Sequence, residues 1–108
     1  MASGRLGNVA ILAVQSPPQT VYTTPTGFYT VCNVTIVNRN TTAVRIRLAM
    51  ASAGTPVVSE WIEYDTIIIP NGVFERTGLV LQAGLNIVVY SDTANLGCTV
   101  YGIETSTT

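Results

Sequence analysis

Positions 28 to 51 read FYTVCNVTIVNRNTTAVRIRLAMA, and the second half of that stretch alternates without interruption. Val44, Ile46, Leu48 and Met50 are interleaved by Arg45, Arg47 and Ala49. A helix repeats its apolar positions about every 3.6 residues, whereas a period of two is what a strand with one dry and one wet face requires. The first half is rich in Val, Ile, Thr and Tyr and carries Phe28, Cys32, Val34 and Ile36 on one parity. Between the halves, Asn38-Arg39-Asn40-Thr41-Thr42 has turn chemistry. The stretch is therefore expected to fold as a β-hairpin with a defined inside. Burial of the four apolar side chains of its second strand would contribute about 6–12 kcal/mol gross, at about 1.5–3 kcal/mol each.

The rest of the chain repeats that signal in shorter pieces. Residues 7–15 read as a first strand, stopped by Ser16-Pro17-Pro18, and residues 20–24 as a second, closed by Pro25-Thr26-Gly27. After a loop at 52–56, residues 60–69 (EWIEYDTIII) form a strand in which neither parity is clean. Such a strand is expected to twist, to bulge, or to lie at an edge or interface. Pro70-Asn71-Gly72 is a turn, followed by strands at 73–81, 85–90 and 98–104. The tail at 105–108 is small and polar and is expected to be flexible. About eight short strands with no helical period predict an all-β, single-domain antiparallel β-sandwich, jelly-roll-like, over residues 1–108. Residues 1–20 would supply an N-terminal strand or an arm reaching a neighbouring subunit. Their apolar stretch reads as a strand rather than a secretion signal, because its charged flank is a single Arg5.

Charge narrows the function classes. Charged residues make up 10% of the chain, against about 25% in ordinary soluble domains. The five cations are all Arg, with no Lys and no His. Arg suits interfaces, where its planar fork pairs well and sheds water more easily than an ammonium. So few charges leave a small domain poorly defended against association. A net charge of -1 offers no electrostatic footprint for nucleic acid or an anionic membrane. No apolar run is long enough for a transmembrane helix.

Without His, the Ser-His-Asp triad, the Cys-His dyad and the common zinc sets cannot be assembled, and no phosphate-cradling glycine loop is present. The chain is expected not to be an enzyme and to need no cofactor or metal. Cys32 and Cys98 match no metal, redox or haem spacing and read as two buried thiols; a disulfide would need their strands to be neighbours. Glu63 and Asp65, two apart on a strand, are expected to point the same way. They could hold Ca²⁺ or work as an acid/base pair, but a wet face or an Arg-pairing interface is the commoner role. Asn33-Val34-Thr35 and Asn40-Thr41-Thr42 match the glycosylation sequon by chance, the first inside a strand. Trp61 and Tyr22, Tyr29, Tyr64, Tyr90 and Tyr101 could line a glycan-binding surface, although aromatic residues in a small β-domain more often anchor cores or interfaces.

Several segments, in order, carry a family resemblance. Val21-Tyr22-Thr23-Thr24-Pro25-Thr26-Gly27 is similar to an opening of the form L-Y-T-V-P-A-G. Residues 37–49, VNRNTTAVRIRLA, are similar to a V-C-N-R turn followed by an F-R-[LI]-A strand. Trp61-Ile62-Glu63-Tyr64-Asp65-Thr66, Pro70-Asn71-Gly72, residues 84–90, Thr93-Ala94-Asn95 and Tyr101-Gly102 complete the pattern. Cys32 departs from it, standing further ahead of the turn than the family's cysteine. From about Val21 onward the chain resembles small β-sandwich virion structural proteins of tailed bacteriophages, including phages of cyanobacteria. The resemblance implies a non-enzymatic capsid cement or decoration protein, located on the virion and assembled in the host cytoplasm. Its partners would be the major capsid protein or other virion proteins, and a homo-oligomer, a trimer by preference. A neck, tail or fibre-associated adaptor is the first alternative, and a receptor- or glycan-binding β-sandwich the second. The expected interface is Arg45 and Arg47 with Trp61, Glu63 and Asp65.

Overall fold

The structure is a computed structural model that describes residues 3–13 and 18–107. Among these residues eight strands follow one another: β1 Ser3–Ile11, β2 Gln19–Thr23, β3 Phe28–Asn38, β4 Val44–Ala51, β5 Trp61–Ile68, β6 Val73–Leu81, β7 Asn86–Ser91 and β8 Leu96–Ser106. A 3-10 turn, Val58–Glu60, precedes β5. The strands form two four-stranded antiparallel sheets, ordered β1-β8-β3-β6 and β2-β7-β4-β5. First pairs with last, second with seventh, third with sixth and fourth with fifth. That is one long hairpin rolled up so that alternate pairs fall into opposite sheets, the order of a jelly roll.

The alternation seen in the sequence sets the core. Val34, Ile36, Cys98 and Val100 of the first sheet are fully buried against Ile46, Leu48, Ile87 and Val89 of the second. Two devices close the sides. At the β1/β2 side a Cβ on Gly7 would stand 2.5 Å from the Val21 carbonyl oxygen, so only glycine lets the sheets approach there. At the β6/β5 side Arg76 forms an ion pair with Glu63 across the gap. At one end Tyr22 of the second sheet donates a 2.5 Å hydrogen bond to Glu104 and lies 2.8 Å from the Thr30 hydroxyl, both of the first sheet. Burial, with the Glu104 contact, pushes the Tyr22 phenol up to about 12.

The expected hairpin at 28–51 is not one. β3 lies in the first sheet and β4 in the second, so residues 39–43 arch across the end of the sandwich. Asn38 holds the arch: fully buried, its Nδ2 shares its hydrogens among the carbonyls of Thr42 (2.9 Å), Ile69 (3.1 Å) and Ile68 (3.3 Å). Its Oδ1 accepts from the Asn40 backbone and side chain, each at 3.0 Å. Alternation identifies the inward residues of each strand, and that requirement is met equally by two strands side by side or face to face.

Two further boundaries move. β1 begins at Ser3 and runs beside β8 through eight paired positions, a strand of the first sheet rather than an arm; residues 14–17 lie outside the described residues. Thr105 and Ser106 continue β8 opposite Tyr29 and Phe28, and Thr107 donates its backbone N–H to the Gly27 carbonyl at 2.9 Å. That part of the expected flexible tail is therefore strand, drawn in by pairing with β3; Thr108 is not among the described residues.

Candidate interaction surface

Strand β5 is the edge of the second sheet, and two irregularities in its pairing with β4 decide what it presents. Trp61 pairs with Ala49, Glu63 with Leu48 and Thr66 with Ile46. Two residues, Tyr64 and Asp65, thus oppose the single Arg47, and Asp65 takes a left-handed backbone with φ of 55°. This is a β-bulge. The strand accordingly runs outward at Trp61, inward at Ile62 and Glu63, outward at Tyr64 and Asp65, then alternates again. The mixed parity of EWIEYDTIII is the trace of these bulges.

The bulge gathers three of the expected interface residues on the outer face. Arg47 Nε donates to Asp65 Oδ1 at 2.7 Å. Its guanidinium lies over the Tyr64 ring, 4.0 Å from the centroid, and 4.9 Å from that of Tyr90. Such stacking on an aromatic face suits a planar, weakly hydrated cation. Trp61 meets Tyr64 edge to face, with centroids 5.9 Å apart, and its other side covers the buried Ala49, Ala51 and Val88. The hydrogen bond from Arg47 holds the Asp65 carboxyl below the ordinary aspartate range, and the Asp65 contact raises the Arg47 guanidinium further.

Arg45 stands one position along, exposed, opposite Ile67, with its backbone N–H donating to Asp92 Oδ1 at 3.1 Å. Glu63 leaves the group altogether. It turns between the sheets to pair with Arg76 and to accept from the Thr66 hydroxyl at 2.8 Å. The expectation that Glu63 and Asp65 share a face is thus overturned by the bulge, and with it the carboxylate pair they would have formed. Among the described residues, no three His, Cys, Asp or Glu side chains are grouped to hold a metal ion. No helix among them is long and apolar enough to cross a membrane.

Beside this group the 52–60 loop raises an apolar edge that the sequence reading did not include. Glu60 accepts backbone N–H bonds from Val57 at 2.9 Å and Ser52 at 3.0 Å, which draw its carboxyl below the usual range and tie the loop down. Val58 is left 91% exposed and Tyr64 58%. Val58, Trp61 and Tyr64 line an open hollow of about 270 Å³. The available signal was Val57-Val58 itself, two apolar residues next to Pro56 in a loop with no strand to bury them. The two cysteines stay out of this surface. Cys98 pairs with Ile36 and Cys32 with Gly102, four positions apart on β3, or about 13 Å at the usual strand rise. That separation exceeds disulfide reach, so both thiols are free, and burial pushes them up to about 11 and about 12.

Comparison of the chain with protein-family models, curated proteins and solved structures found no match. The molecule is a jelly-roll β-sandwich whose edge strand carries an exposed aromatic and apolar surface braced by a buttressed arginine.

Proposed function

We propose that the chain is a non-enzymatic virion structural protein, a cement or decoration module that stabilises a bacteriophage head by bridging capsid subunits. The observation that carries the reading is the outer surface of β5. Val58, Trp61 and Tyr64 present apolar area, and Arg47 is immobilised by Asp65 and two tyrosines before any partner arrives. Preorganised aromatic and Arg side chains are the residues that dominate binding energy at protein interfaces, because little entropy remains to be lost on docking. The jelly roll is an architecture used by viral capsid and lectin domains, which is analogy of fold and supports the reading only in that sense. Bridging acts by multivalency: contacts to two or more subunits lower the free energy of the closed shell. The major capsid protein is the proposed partner, with Arg45, Arg47, Trp61 and Asp65 at the contact.

Copy number in purified particles tests this, measured by quantitative mass spectrometry against the major capsid protein. Hundreds of copies per particle follow from lattice symmetry and support the cement role. A dozen to a few tens would move the protein to a neck or tail adaptor, and absence from particles would remove the virion reading. The hollow between Val58, Trp61 and Tyr64 also favours a second reading, glycan binding by stacking of a sugar ring on the aromatic corner. A glycan array separates the two, since loss of array binding in Trp61→Ala is expected only for the second.

A further inference from the structure

A second surface, on the opposite side of the molecule, is independent of the virion reading. Among the described residues no element packs over the outer face of the first sheet, and three large apolar residues lie side by side across it. Ile103, Val31 and Val80, on β8, β3 and β6, pair in one row and are 54%, 43% and 58% exposed. We propose that this face binds a second copy of the chain, packed face to face about a two-fold axis that lies parallel to the strands, between β8 and β3.

Three features of the face match that operation. A two-fold axis along the strands keeps every row at its own height and exchanges β3 with β8 and β6 with β1. The apolar row then meets itself, Val31 of each copy over Ile103 of the other. Three rows further along the strands, bulk and space alternate in the required sense. Val37 and Val73 project on the β3/β6 half, while Gly97 and Ala10 occupy the β8/β1 half of that row. Nothing stands within 4 Å of a Cβ built on Gly97, and a hollow of about 270 Å³ opens beside Ala10 and Gly97. The axis sets each copy's valines over the other's depression.

Charge supplies the third match. Arg5 lies on β1 at one edge and Glu75 on β6 at the other, one row apart. Tyr101 donates to Glu75 Oε2 at 2.8 Å and Thr35 at 3.4 Å, which orients the carboxylate toward the middle of the sheet. The axis brings Arg5 of each copy near Glu75 of the other, twice per dimer. An in-plane axis across the strands would leave both charges without a partner. A four-stranded face with strands about 4.8 Å apart and about 30 Å long offers about 600 Å² per copy. The total of about 1,200 Å² clears the area that a specific interface needs. Packing with the strands of the two faces aligned is an ordinary geometry for sheet-on-sheet contacts.

Sedimentation equilibrium of the full chain at tens of micromolar is the test. The expected mass is twice the 11.5 kDa of the chain. A monomer overturns the proposal, and so does the trimer expected from the family resemblance. Arg5→Glu and Glu75→Arg are each expected to weaken dimerisation by about tenfold, since each removes two ion pairs and creates two repulsions. The double variant restores the attraction with its signs reversed and is expected to recover the wild-type constant to within about threefold. A double variant as weak as the singles would overturn the axis. Val31→Glu, on the exposed face, is expected to be monomeric with an unchanged far-ultraviolet circular dichroism spectrum. A folded Val31→Glu that stays dimeric would also overturn the proposal.

Discussion

A Cβ on Gly102 would stand 2.1 Å from the Val31 carbonyl oxygen and 2.6 Å from the Cys32 Cα, both backbone atoms of the central strand β3. Gly102→Ala is therefore expected to cost about 1–3 kcal/mol or more, read as a lower midpoint in urea with an unchanged slope. Asp65 gives the molecule an acid-side dependence. Its folded carboxyl is depressed by Arg47, so the unfolded chain binds the proton more readily. Its contribution to stability is present above the ordinary aspartate range and is lost as pH falls through the lower folded value. In Arg47→Ala the Asp65 carboxyl is expected to return toward its ordinary range, which an NMR titration of that side chain would show. Cys32 and Cys98 make the opposite case: burial keeps them protonated. Both thiols are expected to resist Ellman's reagent in the native protein and to react fully in denaturant.

Among the elements, the arch from β3 to β4 and the bulged strand β5 show where sequence reading stops. The alternation Val44, Ile46, Leu48 marked the inward side chains, and all three are buried. The strand lies in the other sheet from β3, and Asn38 anchors the arch between them by donating to carbonyls at positions 42, 68 and 69. Asn38→Ala is expected to cost about 1–3 kcal/mol in chemical denaturation, because the hydrogen bonds of a fully buried amide are lost with it. In β5, the unclean parity of residues 60–69 foretold a bulge or an edge, and the strand has both. Its consequence was not legible. The side-chain direction of Asp65 turns on one left-handed residue that any sequence pattern of period two must miss. Of the expected interface, Arg47, Trp61 and Asp65 come together, Arg45 stands alongside, and Glu63 turns inward from the same edge strand to clamp it to β6 through Arg76. That clamp is half-open to solvent, so Arg76→Ala is expected to cost no more than about 1 kcal/mol.

At the scale of the whole molecule, the rolled hairpin ties the two ends of the chain together. β1 cannot complete its pairing until β8 exists, and the same holds for β2 with β7 and β3 with β6. Loop-closure entropy is thus lost before the contacts that offset it are made. Refolding is expected in milliseconds to seconds rather than microseconds, as stopped-flow fluorescence of Trp61 would show. Residue order alone was enough for the local features: strands punctuated by Pro and Gly, inward parity and two buried thiols. Those properties depend on neighbours two to four positions away, which is the range over which side-chain alternation and turn chemistry act. Long-range contacts settled that β3 and β4 lie in opposite sheets, that Glu63 and Asp65 part company, and that Arg47 sits between two tyrosines. Each of these depends on hydrogen bonds or ring contacts between distant segments. The period of two is blind to them, because it is satisfied equally by every way of stacking the same strands.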